Sequence, residues 1–233
     1  MKILLIIPAY NEQKSIISLI EKIRMENIEN LHYVVINDCS TDRTADLCVQ
    51  HNVPVVKLPS NLGIGGAVQT GYKYALYHNF DIAIQVDGDG QHDPKYIKEL
   101  IAPLLKGESD LVIGSRYIDK KGFQSTFMRR LGIRYFTKLL YMMTKQTISD
   151  PTSGFRACNK ELIGLFSKRY PTDYPEPESI MYLKRNNYRI KEVSVQMNER
   201  SGGVSSITSI KSVYYMLKVS MAIVIDRMRR QIV

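Results

Sequence analysis

The 233-residue chain has no tryptophan, three cysteines and four histidines. Cys39, Cys48 and Cys158 lack metal-ligand spacing, and an odd count speaks for reduced thiols over a disulfide frame. No stretch reaches the ~18 apolar residues that a bilayer span needs. The apolar run in residues 1–8 is too short for a signal peptide and reads as a first core strand. No glycine-rich loop ends in Gly-Lys-Ser/Thr, which excludes a phosphate-loop ATPase. Neither Gly-x-Ser-x-Gly nor a Cys/His dyad stands out, so a nucleophilic hydrolase has no candidate. His32, His51 and His78 are scattered; only His92 lies near clustered acids. Acidic residues are in deficit, 23 against 32 Lys and Arg, for a net charge of +9. That balance suits an anionic partner such as a nucleotide or phospholipid, or simply a basic surface. Nucleic-acid signatures are missing.

What is present points to a globular protein. Hydrophobic residues make up 44%, and the length is enough for one large domain with a full core. Strand patterns at 3–7, 33–37, 54–57, 81–86 and 111–114 alternate with helix patterns. The first helix runs to Met25 with Asn11 as its expected cap; Thr41 or Asp42 caps the second, ending near His51. Further helices are expected at 61–77 and 94–106. The second half is less regular: a helix from near Arg130, a turn at 150–156 feeding a short strand, and a helix at 161–168. Residues 174–178 precede a helix to Asn186; a strand at 188–196, a polar loop at 200–206 and a last helix from Thr208 follow. This alternation predicts an α/β fold whose mainly parallel central sheet is flanked by helices.

Each expected strand ends in polar residues: Tyr10 and Glu12, Asp38, Asp87 and Asp89, Arg116. Parallel strands bring such ends to one rim, where open α/β sheets bind ligands. Asp87-Gly-Asp89-Gly-Gln91-His-Asp93-Pro94 bunches three carboxylates. Carboxylates this close repel unless a cation lies between them, so the stretch reads as a divalent-metal site or as an acidic turn capping the next helix. Gly63-x-Gly65-Gly66 suggests a nucleotide but lacks dinucleotide-binding spacing.

Six motifs then occur in order: Pro8-Ala-Tyr10-Asn-Glu12, Asn37-Asp38-x-Ser-x-Asp42, Asn61-x-Gly63-x-Gly65-Gly66, Asp87-Gly88-Asp89-Gly-Gln91-His-x-Pro94, Gly114-Ser-Arg116-Tyr117 and Asp150-x-x-Ser153-Gly154-Phe155-Arg156. Together they resemble the family 2 glycosyltransferases of GT-A (nucleotide-diphospho-sugar transferase) fold, above all the dolichyl- and polyprenyl-phosphate sugar synthases and their bacterial relatives. The resemblance spans nearly the whole chain.

It implies a nucleotide-diphosphate-sugar donor, Mg²⁺ or Mn²⁺, and inversion at the anomeric carbon. Tyr10 would stack on the base and Asp38 would accept from its ring N–H, with Pro8, Glu12 and Gly88 completing the pocket. Asp89 would bind the metal directly, with Asp87 near the ribose or a metal-bound water and Gln91 assisting. Arg116 and Arg200 would clamp phosphate. Outside the resemblance, Tyr10 also reads as a half-buried aromatic, Asp38 as a turn cap and Arg116 as a surface ion pair.

Asp150 divides the acceptor classes. For a sugar hydroxyl, as on a lipid-linked saccharide, it or Glu176 or Glu178 would be the general base. For a polyprenyl phosphate, already anionic, Asp150 would orient the acceptor. As a structural residue it caps the turn before Pro151, while the two glutamates suit a helix start. Asn37 replaces the first acid of the family's usual pair, and Ser205-Ser206 stands where the lipid-phosphate synthases carry a basic residue. Lys211 is the cation placed to compensate. These departures keep a lipid-linked saccharide acceptor open.

Ile207, Ile210, Tyr214, Leu217, Met221 and Val224 recur at helical spacing, with Lys211 and Lys218 on another face. Such a helix packs on the sheet, on a second copy, or on an anionic membrane surface. The expected organisation is one domain, 1–233: a nucleotide-sugar half to 117, an acceptor half over 118–206 and an amphipathic helix over 207–233. The expected role is sugar transfer in polysaccharide, cell-wall or glycolipid synthesis, in the cytoplasm or peripheral on the inner face of the membrane. A non-catalytic nucleotide-sugar-binding subunit and a sugar nucleotidyltransferase are the alternatives. The latter's basic glycine-rich loop is missing after the first strand.

Overall fold

The computed structural model describes residues 1–123, 127–199 and 209–228. Seven strands form one sheet: β1 (Ile3–Ala9), β2 (Leu31–Asn37), β3 (Val55–Lys57), β4 (Ile82–Gln85), β5 (Leu111–Ser115), β6 (Arg156–Asn159) and β7 (Ile190–Ser194). Their order is β3-β2-β1-β4-β6-β5-β7. Every pairing is parallel except those of β6, which runs antiparallel to β4 and β5. The helices are α1 (Ile16–Met25), α2 (Thr44–Gln50), α3 (Gly63–Tyr77), α4 (Ile97–Leu105), α5 (Phe127–Thr144), α6 (Lys160–Lys168), α7 (Pro175–Arg185) and α8 (Ser209–Met228).

The sheet is buried on both faces, which explains why β1 is a continuous apolar run. Side chains alternate along it: Leu4 and Ile6 enter a core with Val68, Tyr72, Phe136 and Phe166, while Ile3, Leu5 and Ile7 enter one with Ile16, Ile20, Ile97 and Leu100. Helix α3 lies so close on β1 that a Cβ at Gly71 would fall 2.1 Å from Ile6 Cγ2. Gly65 has a similar role, its N–H donating to the Thr172 carbonyl at 3.0 Å. Of the glycines that suggested a nucleotide loop, Gly65 is therefore set by close packing.

Several boundaries differ from expectation. Asn11 does not cap α1; it sits at φ 57° and its Oδ1 accepts from Thr41 N–H at 2.9 Å. That bond ties the β1–α1 loop to the β2–α2 loop, so α1 starts only at Ile16. Asp42, not Thr41, holds the start of α2, accepting from Thr44 N–H at 2.9 Å. The segment expected to precede α7 is its first turn, with Pro175 at the position where a missing N–H costs nothing. Because β6 is antiparallel, it is its beginning, not its end, that reaches the rim: Arg156 pairs with Gln85 beside the end of β4.

Candidate active site

The rim is built from the ends of β1, β2, β4 and β5 and the turn before β6. Chain direction at each strand sets which side chains meet there.

The turn after β4 is closed by its own histidine. Asp87 N–H donates to His92 Nδ1 at 3.0 Å, which leaves the ring proton on Nε2, 3.7 Å from Asp87 Oδ2. His92 is 3% exposed and stacks nearly parallel on Phe155, centroids 5.0 Å apart. Gly90, at φ 77°, takes the left-handed position of the turn. Asp89 is buried, and its Oδ1 accepts from Gln91 N–H at 3.0 Å. Gln91 is half-buried, and its carbonyl accepts from Asn198 N–H at 2.9 Å. Asp93 Oδ1 accepts from Lys95 N–H, so the third acid caps the turn that begins at Pro94. Three acids thus divide into two facing the rim and one cap.

Gly88 lets this turn lie against β1: its N–H donates to the Pro8 carbonyl at 3.2 Å, and a Cβ there would meet that oxygen at 3.0 Å. Gly154 does the same from the other side, where a Cβ would lie 2.9 Å from Asp87 Oδ2 and from Gln85 Nε2. Asp87, about one-third exposed, accepts from Gln85 Nε2 at 3.1 Å.

On the β1 side, Tyr10 is half-exposed at the strand tip. Glu12 is buried; its Oε2 accepts from Ser15 Oγ at 2.8 Å and its N–H donates to Thr44 Oγ1 at 2.8 Å. Asp38 is buried at the end of β2, and its Oδ1 accepts from Leu62 N–H at 2.7 Å, fixing the entry to α3. Asn37 is buried beside it with Oδ1 lacking a hydrogen-bond partner among the described residues.

Across the rim, Arg116 and Asp150 form a buried bidentate pair: Nε to Oδ2 at 2.6 Å and Nη2 to Oδ1 at 2.8 Å. Asp150 is 0% exposed and Arg116 6%. The surface ion pair that Arg116 allowed is a buried one. Glu192 holds Asp150's turn by accepting from Ser149 N–H at 2.7 Å and Asp150 N–H at 2.9 Å. Burial pushes the Glu192 carboxyl up, against those bonds. Arg200, and the Ser205-Ser206 loop with it, lies outside the described residues.

Beneath Asp87 is a polar layer that strand and helix patterns did not reveal. Arg156 is fully buried and donates to the carbonyls of Pro151, Ser153 and Glu176 and to Ser179 Oγ. Gln85 hydrogen-bonds the half-buried Glu176 carboxyl as well as Asp87. Burial pushes Glu176 up from the ordinary glutamate value; Arg156 opposes that and Asp87 adds to it. A raised folded pKa means that the folded state holds the proton more tightly than the unfolded chain. Glu176 therefore stabilises the fold fully below the unfolded glutamate range, and that contribution is lost as pH rises through the folded value. Glu176→Gln should gain stability relative to wild type between about pH 5 and about pH 8, read by urea denaturation at each end. A constant difference across that range would show that Glu176 does not titrate there.

Next to the Arg116–Asp150 pair is a cavity of about 770 Å³. Lys120, Arg130, Arg134 and Lys138 contribute four cations to its lining, with Tyr117 and Tyr141 as aromatic walls and, among the described residues, no acid. The basic stretch of α5 was visible in the sequence, but its convergence with Lys120 was not, since it depends on how α5 packs.

An α/β sheet with one antiparallel strand, paired rim acids and a basic cavity beside them defines a glycosyltransferase of GT-A fold. The chain belongs to glycosyl transferase family 2, whose family profile matches residues 4–165. It is 32% identical over 226 residues to an uncharacterised protein of Methanocaldococcus jannaschii, covering 93% of this chain and 91% of that one. It is 29% identical over 254 residues to the UDP-N-acetylglucosamine–dolichyl-phosphate N-acetylglucosaminyltransferase of Methanococcus voltae, covering 96% and 98%. Among solved structures, glucosyl-3-phosphoglycerate synthase of Mycobacterium tuberculosis, in complex with Mn²⁺, UDP and phosphoglyceric acid, superposes with a TM-score of 0.73 at 21% identity, covering 99% of this chain and 80% of that one. The enzyme is thus a glycosyltransferase related to polyprenyl-phosphate sugar transferases.

Proposed function

We propose that the chain transfers a sugar, with inversion, from a nucleoside-diphosphate donor to a polyprenyl monophosphate, using a divalent cation. One observation carries the choice of acceptor: Asp150 is fully buried with both oxygens on Arg116, and a cavity lined by four cations lies alongside. With no exposed surface and both oxygens bonded to Arg116, Asp150 offers no free oxygen to an acceptor hydroxyl, and a phosphate monoester needs no base. Its anionic oxygen attacks the anomeric carbon from the face opposite the diphosphate. The new C–O bond forms as the bond to the leaving diphosphate breaks, and configuration inverts. The name of the Methanococcus voltae relative includes dolichyl phosphate, which agrees with this acceptor class.

On the donor side, Tyr10 is exposed enough to stack on a base. Asp38 Oδ1 is occupied by Leu62, so Oδ2 is the oxygen left for a base N–H. Pro8, Glu12 and Gly88 hold the loops that frame this pocket. Asp87 and Asp89 are hard carboxylate ligands suited to Mg²⁺ or Mn²⁺, with Gln91 beside them, and glycines at 88 and 154 let the backbone pack close enough to fix their turn. Among the described residues no three His, Cys, Asp or Glu side chains converge as a full metal cage. That fits a cation held by one or two carboxylates together with the donor's phosphates. When bound, the cation supplies Lewis-acid stabilisation of the departing diphosphate. His92 and Gln85 orient Asp87, and Arg116 and the cavity cations are the partners proposed for the acceptor phosphate. Arg200 is proposed as a further phosphate ligand from the sequence motif alone.

The test supplies polyprenyl monophosphate and, separately, a lipid-linked saccharide, each with a panel of nucleotide sugars and Mn²⁺. The expected product is a lipid-extractable sugar phosphate of opposite anomeric configuration to the donor, lost on adding EDTA. Transfer only to the saccharide hydroxyl would overturn the acceptor assignment.

A further inference from the structure

A relay of hydrogen bonds runs along one wall of the basic cavity, and Glu192 stands at its end. The Ser149 hydroxyl has one proton, which goes to Glu192 Oε1 at 3.0 Å. Ser115 Oγ lies 2.6 Å from Ser149 Oγ, so the Ser115 hydroxyl is the donor between them. Tyr117 N–H in turn donates to Ser115 Oγ at 3.1 Å. Every step runs the same way, from Tyr117 through Ser115 and Ser149 to the Glu192 carboxylate. Two backbone donors join it there: Ser149 N–H reaches Oε2 at 2.7 Å and Asp150 N–H reaches Oε1 at 2.9 Å.

These residues flank both halves of the Arg116–Asp150 pair. Ser115 and Tyr117 stand on either side of Arg116, and Ser149 precedes Asp150. Tyr117 and Ser149 also line the cavity. Glu192 reaches them from β7, at the edge of the sheet, where Ser194 pairs with Ser115. Asp150 Oδ2 accepts from Arg116 N–H at 3.3 Å as well as from the guanidinium, so a shift of the turn at 149–150 carries the guanidinium with it. Burial pushes the Glu192 carboxyl up and the nearby Asp150 adds to that, while the three donors oppose it. A glutamine does not reproduce this arrangement. Its amide has one accepting oxygen, and each Glu192 oxygen faces a backbone N–H, so the NH₂ would meet a donor in either orientation.

We infer that Glu192 is a positioning residue for the acceptor: through Ser149 and Ser115 it sets the guanidinium of Arg116 and the adjoining cavity wall. The rim acids Asp38, Asp87 and Asp89 stand on other strand ends and take no part in the relay, so the effect of Glu192 falls on one substrate. That this substrate is the acceptor rests on the function proposed above; the relay and the pair it holds do not.

Steady-state kinetics of the full chain test it, with donor and acceptor varied in turn. The substrates are a short-chain polyprenyl phosphate and a nucleotide sugar that the wild type turns over, in Mn²⁺. Glu192→Gln should raise the acceptor KM by about tenfold or more and leave the donor KM within about twofold of wild type. Ser149→Ala keeps both backbone bonds to Glu192 and breaks only the relay, so its acceptor KM should rise by about threefold with the donor KM again unchanged. A generally weakened fold does not give this split, because the donor pocket would suffer with it. An equal rise in both constants, or a wild-type acceptor KM in Glu192→Gln, would overturn the inference. If Glu192→Gln shows no cooperative urea transition, Ser149→Ala decides alone, and a wild-type acceptor KM there would overturn it. Transfer by the wild type to a lipid-linked saccharide and not to polyprenyl phosphate would overturn only the acceptor assignment; the same comparison on the saccharide then decides the role of Glu192.

Discussion

Asp89→Ala should reduce sugar transfer by about a thousandfold or more, which corresponds to several kcal/mol of lost transition-state stabilisation. The size follows from the task. A glycosyl bond to a diphosphate breaks only if charge building on the leaving group is offset, and Asp89 is the buried acid that the turn after β4 aims at the rim. The same variant should lose the Mn²⁺-dependent rise in melting temperature that a nucleoside diphosphate gives the wild type. Asp89→Asn separates charge from shape. Its amide oxygen can still accept from Gln91 N–H, so the turn survives and stability should stay near wild type. Asp89→Ala, without that bond, should lose about 1 kcal/mol in urea denaturation. Both should fail equally in transfer. Near-normal turnover of Asp89→Asn in Mn²⁺ would show that the carboxylate is not a metal ligand.

Periodicity was enough to read β1 to β5 and the helices between them, because both faces of the sheet are covered and each strand is an apolar run closed by polar residues. The rim acids were legible for the same reason: Asp38, Asp87 and Asp89 each stand just past a strand. Burial was not legible. Arg116 follows β5 as a polar strand end should, but nothing in the spacing says that its partner lies 34 positions on and is sealed from water. The antiparallel β6 hid the approach of Gly154 to Asp87, since a parallel reading sends that turn to the opposite rim. The run 81–86 was read as an apolar strand without regard to Gln85, which is the residue that joins Asp87 to Glu176. A lone polar residue inside an apolar strand was the signal available. Glu192 had a comparable one, an acid within a strand, that becomes informative only once Ser149 and Asp150 are placed against it. Asn11 failed as a cap because its loop is bound to a neighbouring loop instead, a tertiary preference that local propensity does not carry.

Arg116→Ala should be the most destabilising single change at the site, by about 3–5 kcal/mol, because it strands a carboxylate with no exposed surface. The loss is a property of the orphaned charge more than of the bond removed. Removing Asp150 as well should therefore recover much of it: Arg116→Ala/Asp150→Ala should be more stable than Arg116→Ala alone in urea denaturation. Transfer should behave differently. If Arg116 presents its guanidinium to the acceptor phosphate while Asp150 holds it in place, the double variant regains the fold and remains inactive. Its donor binding should survive, since Asp38, Asp87 and Asp89 lie on the other side of the rim. Arg116→Lys offers the intermediate case. It keeps a charge opposite Asp150 but gives up the planar fork that made two short bonds, so both stability and acceptor affinity should fall part of the way. Full activity in the double variant would show that the pair only supports the fold, and would return the role of facing the acceptor to the cavity cations on α5.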